Sequence, residues 1–177
     1  MSSEKTFLRE HFKAKRRALS DQRRKTASLG LAETLLPRLV SFDRVLSFAS
    51  TFEEIDLAPI NQKLLSENRL ALPKVCENAL KLYAVDSLEE LELGAYGVLE
   101  PKQSCKLLDF SLIEYALVPG LAFDNNRHRL GYGKGFYDKL LPQLGVVSFG
   151  VGFIEQKSTE ALPKDAWDIP LTEVIFA

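Results

Sequence analysis

A chain of 177 residues with 46% hydrophobic content is long enough for one domain with a sizeable core, and a formal net charge of −1 gives the whole molecule no pull toward nucleic acid or an anionic membrane. Cys76 and Cys105 lack CxxC spacing, and His11 and His128 are the only histidines, which argues against a disulfide framework or a zinc site; any metal is expected to be a hard, oxygen-liganded cation. No apolar run is long enough to span a bilayer and the N-terminus lacks a signal-peptide core, so the expectation is a cytoplasmic protein folded as a single domain over 1–177.

Residues 4–19 have helical periodicity, with Phe7, Leu8 and Phe12 on an apolar side and Lys5, Arg9 and Lys13 recurring at i, i+4 and i+8 on one face. Nine cations from Lys5 to Lys25 outnumber the acids Glu4, Glu10 and Asp21 there, so this end suits an anionic partner. Ser20 is an N-cap candidate for a second helix that Pro37 is expected to end. Residues 44–50 alternate as a strand, followed by an acidic cluster, Glu53, Glu54 and Asp56, ahead of a helix over 57–67. Acids in that position are either helix caps or ligand-binding groups in the crevice of an α/β sheet, and spacing alone does not separate the two.

A short strand over 69–72 is expected to stop at Pro73, with another over 80–85, a short helix over 88–93, and a turn-rich segment over 94–101. Next comes LVPGLAFDNNRHRLGYGKGFYDKLL: a buried strand over 115–118, a Pro-Gly break, a basic loop and an amphipathic helix from about Phe136. Gly131, Gly133 and Gly135 fall at the loop-to-helix junction, where backbone without Cβ atoms and unpaired helix N–H groups form a phosphate cradle. Arg127, Arg129 and Lys134 add donors for phosphate oxygens, and Asp138 sits where a carboxylate can hold magnesium. Residues 146–153 are a buried strand whose Gly150 and Gly152 permit close backbone approach, and the tail ends in a strand-like EVIF.

Alternation of strands and helices predicts an α/β fold with a largely parallel sheet covered on both faces. Ligands sit at the C-terminal ends of such strands, so the acidic cluster after Ser50 and the glycine loop after Val118 are expected to meet across one crevice.

The string HRLGYGKGFYD resembles the signature of the 5-formyltetrahydrofolate cyclo-ligase (methenyltetrahydrofolate synthetase) family. So do the Pro119-Gly120 to Phe123-Asp124 segment, the Lys5/Arg9 pair, Glu54-Ile55, Pro73-Lys74, the Tyr96 to Pro101 segment and the final Trp-Asp-Ile-Pro, all in family order. The resemblance implies a compact three-layer α/β sandwich similar to the ribose-5-phosphate isomerase and CoA transferase-like fold. It also implies ATP-dependent cyclisation of 5-formyltetrahydrofolate to 5,10-methenyltetrahydrofolate through a phosphorylated formyl group, with release of ADP and phosphate. Substrates would be 5-formyltetrahydrofolate and MgATP, with no nucleic-acid or membrane partner and a monomeric chain.

By the same resemblance, ATP would be bound by Lys5, Arg9, Arg129, Leu130, Gly131, Tyr132, Gly133, Lys134, Gly135, Phe136 and Tyr137, with Lys134, Arg129 and Tyr137 catalytic. Ala49, Glu54, Tyr96, Glu100 and Tyr137 would line the folate pocket, with Glu54 accepting from the pterin N–H edge, and Asp138 would be a magnesium ligand. Two positions depart from the pattern. Thr172 stands where the family often has a second magnesium-associated aspartate, and Tyr132 where some relatives carry arginine. A nucleic-acid module using the basic first helix conflicts with the net charge, and a phosphosugar isomerase of the same fold class would need no ATP.

Overall fold

The structure, a computed structural model, describes residues 3–94, 97–165 and 167–177. Its helices are α1 (Ser3–Arg17), α2 (Asp21–Leu39), α3 (Ala58–Ser66) and α4 (Phe136–Leu144). Its strands are β1 (Val45–Leu46), β2 (Leu70–Cys76), β3 (Ala79–Ala84), β4 (Leu91–Leu93), β5 (Leu99–Pro101), β6 (Tyr115–Val118), β7 (Ala122–Phe123), β8 (Arg129–Leu130), β9 (Val147–Gly152) and β10 (Glu173–Phe176).

The central sheet runs β10, β9, β6, β1, β2, β3, parallel throughout except for the β2/β3 hairpin. Alternate residues feed opposite faces, as a pleated strand requires. Val45, Tyr115, Leu117, Phe149 and Val151 pack under α2 and α3, while Leu46, Ala116 and Val118 pack under α4. Each layer of helix therefore buries one face of a largely apolar sheet, as a mostly parallel α/β fold demands. Helix α1 lies apart from both layers, with Phe12 against Leu121, Ala122, Leu130 and Leu162.

From β1 the chain builds outward in both directions, to β2 on one side and to β6, β9 and β10 on the other. The crevice beyond the ends of β1 and β6 is thus the topological switch point, where the loops that follow the two strands diverge and leave room for a ligand.

Several elements differ from the sequence expectation. Pro37 does not end α2, which continues to Leu39. Pro37 faces solvent and Leu39 is buried, so the hydrogen bond that proline cannot donate is lost on the wet side while core burial holds the last turn. Pro73 does not stop β2. It pairs with Leu82, whose carbonyl accepts from Leu108 N and so points away from β2. The Pro73 pair is therefore a non-hydrogen-bonded one, and β1 ends before reaching it, so the missing N–H breaks no ladder bond. The helix expected over 88–93 is a 3-10 turn, Leu88–Glu90, followed by β4, which pairs with β5. The strand expected over 44–50 makes ladder pairs only at Val45 and Leu46.

Candidate active site

The loops at the switch point enclose a crevice of about 680 Å³. That is a volume suited to a cofactor-sized or drug-sized ligand. Its apolar lining includes Phe48, Pro73, Val75, Leu80 and Leu99, and its polar lining Arg129, Lys134, Asp138 and Glu54.

The glycine loop forms the polar lip. Gly133 (φ 98°) and Gly135 (φ 67°) adopt left-handed backbone, and Gly135 caps α4 without any side-chain acceptor for the first-turn N–H groups. Those donors remain for a ligand, as an anion cradle requires. Lys134 stands exposed between the two glycines on the crevice wall. Arg129 Nη2 donates to Asp138 Oδ1 at 2.6 Å, and its guanidinium lies 5.5 Å from the Tyr137 ring centre. The Tyr137 hydroxyl is buried with no hydrogen-bond partner among the described residues, and burial holds its pKa far above the ordinary phenol value.

The acidic cluster divides its work. Asp56 accepts from Ala58 N at 2.8 Å and acts as a helix cap. Glu53 accepts from Arg17 at 2.7 Å and from Arg16 at 3.4 Å. Glu54 enters the crevice: one oxygen accepts from Thr51 N at 2.9 Å, the other from the Tyr132 hydroxyl at 2.6 Å. The two loops therefore do meet, and Tyr132 joins them. Burial first, then the Glu54 charge, raises the Tyr132 pKa, with Arg16 opposing.

Helix α1 contributes from its inner stripe, Lys5, Arg9, Phe12 and Arg16. This corrects the face drawn from sequence through Lys5, Arg9 and Lys13, since Lys13 turns outward to pair with Glu10 at 2.9 Å. Arg9 Nε donates to Gly131 O at 2.9 Å. Lys5 Nζ sits 2.7 Å from Asp165 and 2.8 Å from Asp168. Burial works against its charge, but the two carboxylates outweigh it and raise its pKa. Arg16, 1% exposed, lines the crevice and donates to the Tyr132 hydroxyl at 2.7 Å, while its Nε is buried without a partner among the described residues. Such an orphaned donor costs about 1–3 kcal/mol, an unusual feature for an arginine that is only structural.

Of the residues singled out from sequence, Ala49, Glu54, Glu100, Arg129, Gly131, Tyr132, Lys134, Gly135, Phe136, Tyr137 and Asp138 all line this crevice. Leu130 turns its side chain into the core beside Phe12, and Tyr96 lies outside the described residues. Lys5, Arg9 and Gly133 are not among the residues that line the crevice; Arg9 lies against the loop backbone, and Gly133 is exposed on the loop. Thr172 is not brought to the crevice. Its hydroxyl accepts from Ser148 N at 3.0 Å, at the opposite end of β9 from the glycine loop. Arg16 was missed as a site residue; the signal was the 5, 9, 12, 16 spacing, which places it on the stripe that packs inward.

Fold and crevice together define an α/β ligand-binding protein whose pocket is lined by an anion-cradling glycine loop and by an acidic group bonded to it. The model of the 5-formyltetrahydrofolate cyclo-ligase family matches residues 1–177. The chain is 29% identical to the 5-formyltetrahydrofolate cyclo-ligase of Escherichia coli K12 over 170 residues, covering 91% of this chain and 93% of that protein. It is 25% identical to the mouse protein of the same name, covering 99% of this chain and 95% of that one. The match to the Haemophilus influenzae protein of that name is 36% identical but spans only about half of each, 48% and 47%. Among solved structures, Aquifex aeolicus 5,10-methenyltetrahydrofolate synthetase superposes with a TM-score of 0.87 at 36% identity, covering 97% of this chain and 89% of that one. The Mycoplasma pneumoniae enzyme, at a TM-score of 0.77 and 22% identity over 97% and 98% of the two chains, shares the fold. The chain belongs to the 5-formyltetrahydrofolate cyclo-ligase family and is a ligase.

Proposed function

We propose that this protein uses ATP to cyclise 5-formyltetrahydrofolate to 5,10-methenyltetrahydrofolate, releasing ADP and phosphate. The observation that carries the reading is the 2.6 Å contact between Tyr132 and Glu54, which joins the glycine loop to the acidic cluster around one crevice in a chain matched by the family over its whole length. A formamide oxygen is a poor leaving group, so ring closure calls for converting it to a phosphate ester. The formyl oxygen attacks the γ-phosphorus of ATP and ADP departs. The neighbouring folate N–H nitrogen then bonds to the activated carbon and gives up its proton to solvent, and phosphate leaves with the former formyl oxygen. Both steps depend on alignment and on neutralising phosphate charge.

In this reading the backbone over 131–135, Lys134 and Arg129 hold the polyphosphate, backed by Lys5 and Arg9. Lys134 has no ion-pair partner among the described residues, so it is the side chain assigned to the transferred phosphoryl group. Glu54 accepts from the pterin N–H edge, the apolar wall takes the ring system, and Tyr137, Glu100 and Ala49 complete the folate side. The residues fit magnesium held by a single protein carboxylate. Asp138 offers an oxygen at the start of α4, while no cluster of three or more His, Cys, Asp or Glu side chains able to hold a metal occurs among the described residues. Magnesium commonly keeps waters and substrate phosphates as its other ligands and would supply charge neutralisation there. Thr172, committed to Ser148, is left out of that role.

Near-ultraviolet absorbance with 5-formyltetrahydrofolate and magnesium, read before and after ATP, tests the reaction. An ATP-dependent rise from the conjugated methenyl product is expected, and a flat trace from folded protein would overturn the reading. Lys134→Ala should cut turnover by about a hundredfold or more, the scale for loss of one charge-stabilising donor, with an unchanged melting temperature. Normal turnover would remove Lys134 from its assigned role.

A further inference from the structure

Three side chains form a directed chain at the crevice wall. Arg16 Nη1 donates to the Tyr132 hydroxyl at 2.7 Å, and that hydroxyl donates to Glu54 Oε1 at 2.6 Å. The direction is forced by chemistry. A guanidinium has only donors and a phenol has one proton, so the phenol must accept from Arg16 and spend its proton on Glu54. Glu54 Oε2 meanwhile accepts from Thr51 N, so both fixed neighbours of this carboxylate are donors and its remaining capacity is for accepting. The second arm of Arg16 is held by Glu53, which Arg17 also grips, so the guanidinium is fixed from behind. With 1% of its surface exposed, Arg16 has no solvent-side reason to be there.

We propose that Arg16 is a positioning residue that acts through Tyr132 to orient Glu54 and to make this lip of the crevice selective for a ligand edge that presents paired N–H donors. The role deepens the folate reading above and rests on it: an aminopyrimidinone edge offers such a pair, whereas an edge that presents an acceptor at either position faces carboxylate lone pairs. Discrimination of this kind is steep because the mismatched ligand leaves buried polar atoms unpaired. The tyrosine at position 132 gives the loop no charge of its own, and Arg16 places its guanidinium 5.5 Å from that ring's centre, so helix α1 supplies the cation from behind the loop.

Arg16→Gln, Tyr132→Phe and the double variant test this. The readouts are equilibrium affinity for 5-formyltetrahydrofolate, affinity for its analogue with the 2-amino group replaced by methyl, and KM for ATP. Each single variant is expected to weaken folate binding about tenfold, the double to be no weaker than the worse single, and KM for ATP to move by less than about twofold. Discrimination against the methyl analogue should fall with the loss of the relay. Tyr132 is half-exposed, so Tyr132→Phe reports even if Arg16→Gln fails to fold. Losses that multiply in the double variant, an equal loss for ATP and folate, or unchanged discrimination would overturn the proposal. Wild-type protein that binds no 5-formyltetrahydrofolate would overturn the functional reading and this role with it, whereas wild-type binding that both variants retain would overturn this role alone.

Discussion

Tyr137 shows how one atom can separate a binding role from a packing role. Its hydroxyl is buried without a partner among the described residues, burial keeps it protonated by raising its pKa, and the residue itself borders the crevice. An unsatisfied buried hydroxyl is a liability of about 1–3 kcal/mol, so removing it should not harm the fold. Tyr137→Phe is therefore expected to leave the denaturation midpoint unchanged or raise it by up to about 1 kcal/mol of stability, while weakening 5-formyltetrahydrofolate binding about fivefold. Lower stability with unaltered affinity would show that the hydroxyl has a structural partner instead. The sequence shows the tyrosine and its place at the start of α4, but not that its hydroxyl is left over. That depends on which groups the tertiary fold brings near it. The acidic cluster illustrates the same limit: Glu53, Glu54 and Asp56 are close in sequence, Glu53 and Glu54 both line the crevice, and only the position of Tyr132, 78 residues beyond Glu54, makes Glu54 the one bonded to the glycine loop.

At the scale of elements, the β7/β8 hairpin is held against β9 by a close approach of side chain to backbone. A Cβ added to Gly150 would lie 2.6 Å from Phe123 Cε1 and 2.7 Å from Leu171 Cδ1. The buried Asp124 carboxylate then ties the hairpin together, accepting from Asn126 N, His128 N and Leu162 N, each at 2.9 Å. Because this hairpin leads directly into the glycine loop, overpacking at β9 should reach the site. Gly150→Ala is expected to cost about 1–3 kcal/mol in chemical denaturation, since Phe123 and Leu171 are both buried and both must shift to admit the methyl group. A neutral result would mean that the hairpin lifts freely from the sheet. Close approach at the β9 glycines was readable from sequence; the identity of the approaching group was not, because Phe123 reaches β9 only through the hairpin. Pro37 and Pro73 misled for a related reason. Each was judged by the hydrogen bond proline removes, and in each case the fold places the missing donor where no ladder or core bond was needed.

For the whole molecule, the sheet and its crevice were legible because alternation of apolar strands with amphipathic helices constrains topology strongly. The docking of α1 was less so, because its inner stripe mixes Phe12 with three cations and does not look like a buried face. That docking brings Arg9 to the loop and Arg16 to Tyr132, and at its start it is anchored by Lys5 between Asp165 and Asp168. The anchor should make the hold on α1 depend on pH at both extremes. Burial disfavours the Asp168 charge, but the Lys5 hydrogen bond, the Asp165 backbone N–H and nearby positive charge more than offset it and lower its pKa below the ordinary 3.8. A depressed folded-state pKa gives stability that is present above 3.8 and lost as pH falls through the lower folded value. Lys5 is raised above 10.5, so its share is complete below that pH and lost as pH rises through the folded value. Solvent screening keeps the pair's contribution to about 1 kcal/mol or less. The stability difference between wild type and Asp168→Asn, followed by denaturant unfolding, is therefore expected to form a plateau between these limits and to close beyond each. Hydrogen exchange at the α1 amides should be faster in the variant only within the plateau. A difference that persists below the acid limit would show that Asp168 holds α1 by something other than its charge.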